Sequence, residues 1–477
     1  MTKTVNEREI VLGILMETVE NGQYSHIVLR DVLAKYQYLS KQERAFITRV
    51  SEGTLEHLIE IDYILDQFSK VKVKKMKPVI RNILRSAVYQ LKYMDSVPDR
   101  AVCSEAVNLA VRKGFSGLRG YVNGVLRSTA RGLDDIGYPA EGTHALSVKY
   151  SCPEWIIELW KQSLGSDVIE TMLAEFQREK QITVRCCLNR ITSDEFRKIM
   201  KEEGVKAEPN PYLPYAFSLS GYDYLESMDS FRGGLFMVQD VSSMLAGELA
   251  DPQPGDRVID VCAAPGGKAL HIAEKLYVKE QQGDEKNLPE DIRKEQYLPG
   301  HVEARDLTEY KTDLIRDNIV RSGLPNISAV CRDASVPDPA AVETADIVIA
   351  DLPCSGLGVL GRKTDLKYKA SPEGIKSLVK LQRKILSCVK EYVKPGGTLI
   401  YSTCTVNPAD SIDNVHWLLE QDPEFSLDDI SERLCPELRD SVSEKGCIQL
   451  LPGVHQSDGF FIARFIKRKK NIMAYTE

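Results

Sequence analysis

The stretch RVIDVCAAPGGKALHIAE at residues 257–274 decides the fold of the C-terminal half of the chain. Its first five residues form the short apolar run that is typical of a buried strand, and KALHIAE continues with the apolar spacing of a helix. The small residues between them therefore lie at a strand-to-helix turn, where the backbone can approach a nucleotide closely and helix amides can point at it. The G-x-G-x-x-G fingerprint of dinucleotide sites is absent, so the turn alone does not identify the ligand.

Four further apolar runs follow this stretch and alternate with helical segments. They are VEARD, ISAVCRD, ADIVIAD and GGTLIYSTC. Such alternation predicts a mostly parallel sheet with helices on both faces, and the tail segments CIQLLPG and GFFIARFIKR predict a final antiparallel pair. Asp306, Asp333 and Asp351 each follow or close one of the runs. An acid at the end of the second strand can accept hydrogen bonds from ribose hydroxyls, and this is the role we expect of Asp306.

The residues before this pattern predict two other regions. From about 5 to 130 the apolar spacing is helical throughout, and one helix is expected to begin at Pro78 and to end before Pro98. From about 136 to 235 helical segments mix with the strand-like runs QITVRCCLN and YAFSLS, with Asp194 as the expected cap of one helix. We therefore predict a helical domain over 1–135, a small α/β domain over 136–235 and a larger α/β domain over 236–470. The polar segment 277–300 is expected to be an inserted surface loop.

Composition restricts the classes of protein that the sequence fits. Of the 477 residues, 43% are apolar and 27% are charged, which is typical of a globular protein. The sequence has no long uncharged apolar run and no apolar leader at its start, so we expect a cytoplasmic protein without a membrane partner. Eleven cysteines include no CxxC pair, which disfavours disulfides and a metal site. The net charge of −7 does not favour a nucleic-acid partner, so basic runs at 70–77 and 464–470 must supply any such surface.

Two cysteine motifs follow apolar strands: DLPCSGLG at 351–358 and YSTCT at 401–405. Because parallel strands end at the same edge of a sheet, Cys354 and Cys404 should lie close to each other and to the turn at 262–268. A thiol becomes a strong nucleophile when it ionises, so these two cysteines are the candidates for covalent chemistry. The adjacent Cys186 and Cys187 are expected on one strand, where at most one of them faces the core.

These motifs resemble those of the RNA cytosine-5 methyltransferases. AAPGGK at 263–268 is similar to the motif that binds S-adenosylmethionine, DLPC resembles the fourth motif of that family and TCT its sixth. The resemblance implies that Cys404 attacks the base and that Cys354 assists product release, while Asp351 and Lys268 stabilise the intermediate. Related DNA enzymes attack from the fourth motif, so the reverse assignment of the two cysteines stays open. The residues that the resemblance implies for donor binding are Cys262, Ala263, Ala264, Pro265, Gly266, Gly267, Lys268, Asp306, Asp333 and Asp351.

The order of the three regions resembles the bacterial RsmB (Sun/Fmu) family of small-subunit ribosomal RNA methyltransferases. Residues 83–111 and YVNGVLR at 121–127 are similar to the NusB-like RNA-binding fold, and YSCPEWI at 150–156 is similar to the small α/β segment of the family. The resemblance implies a Rossmann-like, S-adenosylmethionine-dependent catalytic domain that acts on RNA, with 16S ribosomal RNA as the expected substrate. A monomer without metal is expected. The chain departs from the family in its 277–300 insert and at Ala269, where the family usually has threonine.

Three alternatives remain open at this point. The same chemistry could act on transfer RNA, against which the helical domain argues only by analogy. The chain could be a non-catalytic RNA-binding assembly factor, although such a protein has no physical need to keep both Cys354 and Cys404. A cysteine hydrolase would require a histidine base near Cys404, which the sequence does not suggest. The scheme uses no histidine, and His271 and His455 are the nearest candidates for ligand contact.

Overall fold

The computed structural model describes residues 6–282 and 300–469 and divides into two compact units. The first unit contains the residues up to Arg178 together with the distant segment Leu360–Ala370. The second contains Glu179–Val359 and the residues from Ser371 onward.

The first unit is built from helices whose buried faces follow the predicted apolar spacing. Its helices before residue 178 are α1 (Glu7–Leu15), α2 (Ser25–Lys35), α3 (Lys41–Glu56), α4 (Leu58–Phe68), α5 (Pro78–Tyr93), α6 (Asp99–Arg112), α7 (Arg119–Gly132), α8 (Gly142–Tyr150), α9 (Glu154–Trp160) and α10 (Ser166–Phe176). Pro78 occupies the first turn of α5, where its missing amide leaves no helical hydrogen bond unmade. Ser40 and Glu43 form a capping box that begins α3. Both features explain where these helices start.

The segment Leu360–Ala370, which contains the short helix α16 (Leu366–Lys369), completes the first unit. Asp365 is buried and accepts hydrogen bonds from the Ser25 amide at 3.0 Å and the Ser25 hydroxyl at 2.6 Å. The buried Lys367 donates to the carbonyl oxygen of Glu56 at 2.9 Å, and burial lowers its pKa to about 8. Eleven residues from the C-terminal half of the sequence thus supply polar anchors to the helical unit.

A small antiparallel sheet of order β2-β3-β1-β4 begins the second unit. Its elements are β1 (Ile182–Cys186), α11 (Ser193–Glu202), β2 (Lys206–Pro209), β3 (Ala216–Ser220), α12 (Asp229–Arg232) and β4 (Phe236–Val238). Thr192 caps α11 by accepting from the Glu195 amide, so the prediction of Asp194 as the cap was wrong. Cys186 ends β1 and Cys187 has already left the strand, so both side chains are buried. The expectation that at most one of these cysteines faces the core was therefore also wrong.

The main sheet has the order β11-β12-β13-β9-β8-β5-β6-β7, and β10 pairs with β13. Strands β5 to β9 are parallel, while β13 lies antiparallel to β9 and β12, as the tail segments predicted. Its strands are β5 (Arg257–Asp260), β6 (His301–Asp306), β7 (Ile327–Cys331), β8 (Ala345–Asp351), β9 (Val393–Thr403), β10 (Phe425–Leu427), β11 (Val442–Glu444), β12 (Cys447–Leu450) and β13 (Phe460–Lys467). The helices of this region are α13 (Val241–Ala250), α14 (Gly267–Gln282), α15 (Glu309–Ser322), α17 (Pro372–Val389), α18 (Ile412–Gln421) and α19 (Pro436–Arg439).

Parallel strands covered on both faces must be apolar on both faces, and β8 follows this rule, with Ile347, Val348 and Ile349 all buried. The predicted fold class, with a helical part, a small sheet and a Rossmann-like sheet, is confirmed. Residues 277–282 of the predicted loop instead extend α14, and residues 283–299 lie outside the described part of the chain.

We keep the division into 1–135, 136–235 and 236–470 as a proposal. Two observations bear on its boundaries: β4 pairs with β1 of the small sheet, and α8 to α10 group with the first unit. Within the described residues, no helix is long and apolar enough to cross a membrane.

Candidate active site

The turn between β5 and α14 borders a small cavity at the carboxyl edge of the main sheet. Gly266 has a φ of +108°, a backbone conformation that side chains other than glycine rarely adopt. The Asp306 carboxylate at the end of β6 accepts from the Ala264 amide at 3.0 Å and thereby fixes the turn. The cavity has a volume of about 160 Å³, and its lining is formed by Val238, Gln239, Asp240, Ser243, Asp260, Cys262, Ala263, Ala264, Pro265, Gly267, Lys268 and Asp351.

Most of the residues predicted to bind the donor line this cavity, but three do not. Gly266 and Asp306 act on the turn itself, and Asp306 also accepts from the Leu307 amide at 2.7 Å and pairs with Lys311. Asp333 is exposed and accepts from the Ser335 amide at 2.8 Å, which is a local turn contact. Binding roles for these three side chains stay predictions.

Asp260 is a cavity residue that the sequence reasoning missed. It ends β5, only 1% of its surface is exposed, and its Oδ2 atom has no hydrogen-bond partner among the described residues. Burial, reinforced by the nearby charge of Asp351, raises the pKa of Asp260 to about 7. An unpartnered buried carboxyl oxygen in a cavity is suited to a positively charged ligand group. Its position at the end of the strand that precedes the turn was the available signal.

Lys268 and Asp351 form an ion pair at the cavity edge. The ammonium of Lys268, in the first turn of α14, lies 2.7 Å from Asp351 Oδ2, and the Ser402 hydroxyl donates to Asp351 Oδ1 at 2.8 Å. The Lys268 ammonium also lies 5.0 Å from the centre of the Phe460 ring, close enough for a cation–π contact. A cation and a carboxylate, both held in place, therefore stand where β8 and β9 end.

Cys354 and Cys404 lie side by side, with their sulfur atoms 3.3 Å apart. The loop after Cys354 is held to the loop after β9 because the Gly358 amide donates to the Cys404 carbonyl at 3.1 Å. The Gly459 amide in turn donates to the Gly358 carbonyl at 2.9 Å. The hydrogen bond to Cys404 and burial raise the pKa of Cys354 well above that of a free thiol. The structure thus brings together the two cysteines that the sequence motifs singled out.

The remaining candidate groups have structural surroundings. Cys262 borders the cavity, but burial raises its pKa, which keeps it an unreactive thiol. His271 lies on α14, and its side chain is buried beside Tyr215. His455 contacts the Ser441 side chain and the Leu451 backbone. Neither histidine lines the cavity. None of the eleven cysteines is in a disulfide, and the described residues contain no cluster of three or more histidine, cysteine or carboxylate side chains suited to a metal.

The two basic runs differ in exposure. Lys72, Lys74 and Lys75 are exposed, while the neighbouring Val73 and Met76 are buried. In the C-terminal run, Arg464 and Lys467 are instead buried; Arg464 pairs with Asp428 and Lys467 contacts the Val393 carbonyl. Arg468 and Lys469 are exposed, so within the described residues the first run presents more exposed basic side chains than the second does.

Three family models match the chain in succession. They are the NusB family at residues 5–131, the ferredoxin-like domain of RsmF/B-like methyltransferases at 152–222, and 16S rRNA methyltransferase RsmB/F at 294–466. The chain is 33% identical, over 98% of its length, to the whole of the probable ribosomal RNA small subunit methyltransferase B of Bacillus subtilis. It is 27% identical, over 98% of its length, to the whole of the ribosomal RNA small subunit methyltransferase B of Cronobacter sakazakii.

Solved structures share the fold. The protein PH0851 matches with a TM-score of 0.78 and 24% identity, over 97% of this chain and 99% of its own. NSun6 from Pyrococcus horikoshii, solved with SFG, matches with a TM-score of 0.55 and 20% identity, over 66% of this chain and 98% of its own. At these identities the likeness is one of architecture.

Proposed function

Because the chain belongs to the RsmB/F family of 16S ribosomal RNA methyltransferases, we propose that it methylates carbon 5 of a cytosine in 16S ribosomal RNA through a covalent adduct with Cys404. S-adenosylmethionine is the methyl donor. The observation that carries the proposal is the pair of thiols, 3.3 Å apart, on the loops that follow β8 and β9. A covalent adduct must be broken down to release the product, and the Cys354 thiol lies close enough to Cys404 to assist that step.

The proposed reaction has four steps. The Cys404 thiolate forms a bond to carbon 6, and the electron pair of the C5–C6 double bond moves toward carbon 5. Carbon 5 then takes the methyl group from the sulfonium donor, which leaves as S-adenosylhomocysteine. A base removes the proton from carbon 5, the C5–C6 double bond re-forms, and the C6–S bond breaks to return Cys404 as a thiolate. Cys354 is the thiol that assists this last step.

Asp351 and Lys268 are proposed to stabilise the ring while it is attached to Cys404. In the free protein they neutralise each other at 2.7 Å. A bound cytosine presents an amine to Asp351 and a carbonyl oxygen to Lys268, so both charges find new partners without leaving the site. The ion pair thus keeps two buried or half-buried charges satisfied before the base enters.

The cavity beside the turn is proposed to hold the donor. Its glycine backbone and the start of α14 suit a ligand that must approach the main chain closely. The donor's methionine moiety carries an ammonium group, and the unpartnered oxygen of Asp260 supplies a buried acceptor for it. Asp306 and Asp333 are proposed to face the ribose and the adenine.

We expect donor affinity to rise with pH through about pH 7. The pKa of Asp260 is raised to about 7, so its carboxyl group is mostly neutral at pH 6 and mostly ionised at pH 8. If only the ionised form holds the ammonium, affinity should be about tenfold weaker at pH 6 than at pH 8, and binding near pH 7 should release protons. Calorimetry with S-adenosylhomocysteine measures both quantities. Asp260→Asn should remove the pH dependence, whereas the exposed Asp317→Asn should keep it; a flat profile in the unaltered protein would contradict the assignment.

RNA is the proposed macromolecular partner, and the helical unit is proposed to bind it. The exposed lysines at 72, 74 and 75 form the surface best suited to phosphate contacts, because lysines attract the RNA backbone without reading its sequence. The target cytosine has to leave its stack to reach two half-buried thiols, so an unpaired region is the expected target.

The proposed activity is tested by methyl transfer to RNA transcribed in vitro. The full chain is incubated with methyl-labelled donor and either 16S ribosomal RNA or transfer RNA, and the RNA is digested to nucleosides. We expect the label in 5-methylcytidine from the 16S RNA. Label in another nucleoside would contradict the chemistry, label only in transfer RNA would change the substrate, and no label in either would favour an assembly factor.

A further inference from the structure

The buried carboxyl group of Asp410 lies next to the loop that carries Cys354, and the reaction described above does not use it. Asp410 ends a short 3-10 turn (Pro408–Asp410) that follows Cys404 in the chain, and its side chain is fully buried. Among the described residues, no lysine, arginine or histidine forms an ion pair with it. Burying a carboxyl group without an ion-pair partner costs free energy, which the contacts of this group must offset.

Asp410 joins the residues that come directly after each cysteine. Its Oδ2 atom accepts from the Ser355 amide at 2.7 Å, one peptide bond away from Cys354. The Ser355 hydroxyl lies 2.9 Å from the hydroxyl of Thr405, the neighbour of Cys404. Since the two sulfur atoms are attached one residue upstream of these contacts, the separation of 3.3 Å between them depends on this connection.

The backbone of Asp410 is itself fixed. Its carbonyl accepts from the Tyr401 hydroxyl at 2.9 Å, and Asn414 donates to that same hydroxyl at 3.0 Å. Tyr401 is buried and lies near the end of strand β9. The carboxyl group is therefore anchored to the sheet, and the 354–355 turn is held to it.

The electrostatics keep Cys354 protonated. The titratable groups that interact with Asp410 are Cys354 and Tyr401. Hydrogen bonding to Cys404, burial and the negative charges of Cys404 and Asp410 all raise the pKa of Cys354. Burial raises the pKa of Asp410 above its usual value, although the Ser355 amide donates a hydrogen bond to it. Cys354 is thus kept as a thiol next to a nucleophile that must ionise.

We propose that Asp410 is a positioning residue for product release: by holding the Ser355 amide it keeps the Cys354 sulfur beside the Cys404 sulfur, where elimination of the methylated base needs it. This inference rests on the proposed function, because it assumes that Cys404 carries the adduct and that Cys354 assists its breakdown. It does not require Asp410 to touch RNA or donor.

The test compares the first turnover with steady turnover. Asp410→Ala removes the acceptor, so we expect first-turnover methylation within about threefold of the unaltered chain and steady turnover lowered about ten- to a hundredfold, with protein–RNA adduct accumulating on denaturing gels. Asp410→Asn keeps an acceptor oxygen for the Ser355 amide and should restore release. If Asp410→Ala does not fold, Asp410→Ser, which is too short to reach the amide, should give the same accumulation.

Two reference variants separate the possible failures. Cys354→Ala must trap adduct; if it does not, the proposed function fails independently of Asp410. Asp365→Ala removes an equally buried carboxylate from the helical unit and should give no adduct, which controls for loss of stability. If Cys354→Ala traps adduct while Asp410→Ala and Asp410→Ser slow both turnovers equally without adduct, the inference about Asp410 is overturned.

Discussion

Cys354→Ala is expected to accumulate a covalent protein–RNA adduct that it does not release. The variant keeps Cys404, so addition to carbon 6 and methyl transfer proceed, but the thiol that lies 3.3 Å away is no longer present to assist release. Cys404→Ala lacks the nucleophile and should lose methyl transfer by about ten thousandfold or more, with no adduct. Denaturing electrophoresis with labelled RNA distinguishes the two outcomes.

Cys435→Ala is the matched control for this pair. Cys435 is a half-buried free thiol in the same unit, and it does not line the donor cavity. We expect this variant to turn over normally and to release its product. Adduct from Cys404→Ala instead of Cys354→Ala would exchange the roles of the two cysteines, and adduct from neither would contradict covalent catalysis.

Gly358→Ala is expected to lower the rate of methyl transfer by displacing the main chain of the site. A Cβ atom at this position would lie 2.0 Å from the carbonyl oxygen of Gly459 and 2.9 Å from its Cα, so main chain must move. The Gly358 amide also holds the Cys404 carbonyl, and a shift of about 1 Å at reacting groups costs about a hundredfold in rate. Overpacking of this kind also lowers stability by about 1–3 kcal/mol.

Thermal melting and methyl-transfer rates measured together check this prediction. Gly124→Ala in α7 is the control, because a Cβ atom there meets no atom within 4 Å, and it should leave both quantities unchanged or raise stability slightly. Full activity in Gly358→Ala would show that the contact between the Gly358 and Gly459 segments is not needed to align Cys404.

The parts of the fold that could be predicted from sequence are those in which the local spacing of apolar residues matches their burial in the folded protein. Apolar runs such as ADIVIAD are buried on both faces, and the motifs at their ends meet because parallel strands end at one edge. Cys354, Cys404 and the turn at 262–268 were predicted to meet for this reason. The structure adds that the two sulfur atoms lie in contact, 3.3 Å apart.

The parts that could not be predicted depend on partners far away in the sequence. In the sequence Asp260 is simply the last residue of a strand, and only the cavity beside it identifies it as a candidate binding residue. Arg464 and Lys467 belong to a basic run, but the buried strand β13 turns their side chains toward Asp428 and the Val393 carbonyl. The short edge strands β2 and β4 carry too few residues for a periodic signal, so they are defined by their pairing with β3 and β1.

The helical unit includes Leu360–Ala370, and this has a consequence for folding during synthesis. A nascent chain that has emerged as far as residue 178 already contains ten helices, but Ser25 still lacks the carboxylate of Asp365, and the Glu56 carbonyl still lacks Lys367. The helical unit therefore cannot reach its final state until the ribosome has translated β5 to β8 of the main sheet and the segment Leu360–Ala370 that follows them. Nearly four fifths of the polypeptide must be made before this unit, the first in the sequence, can be finished.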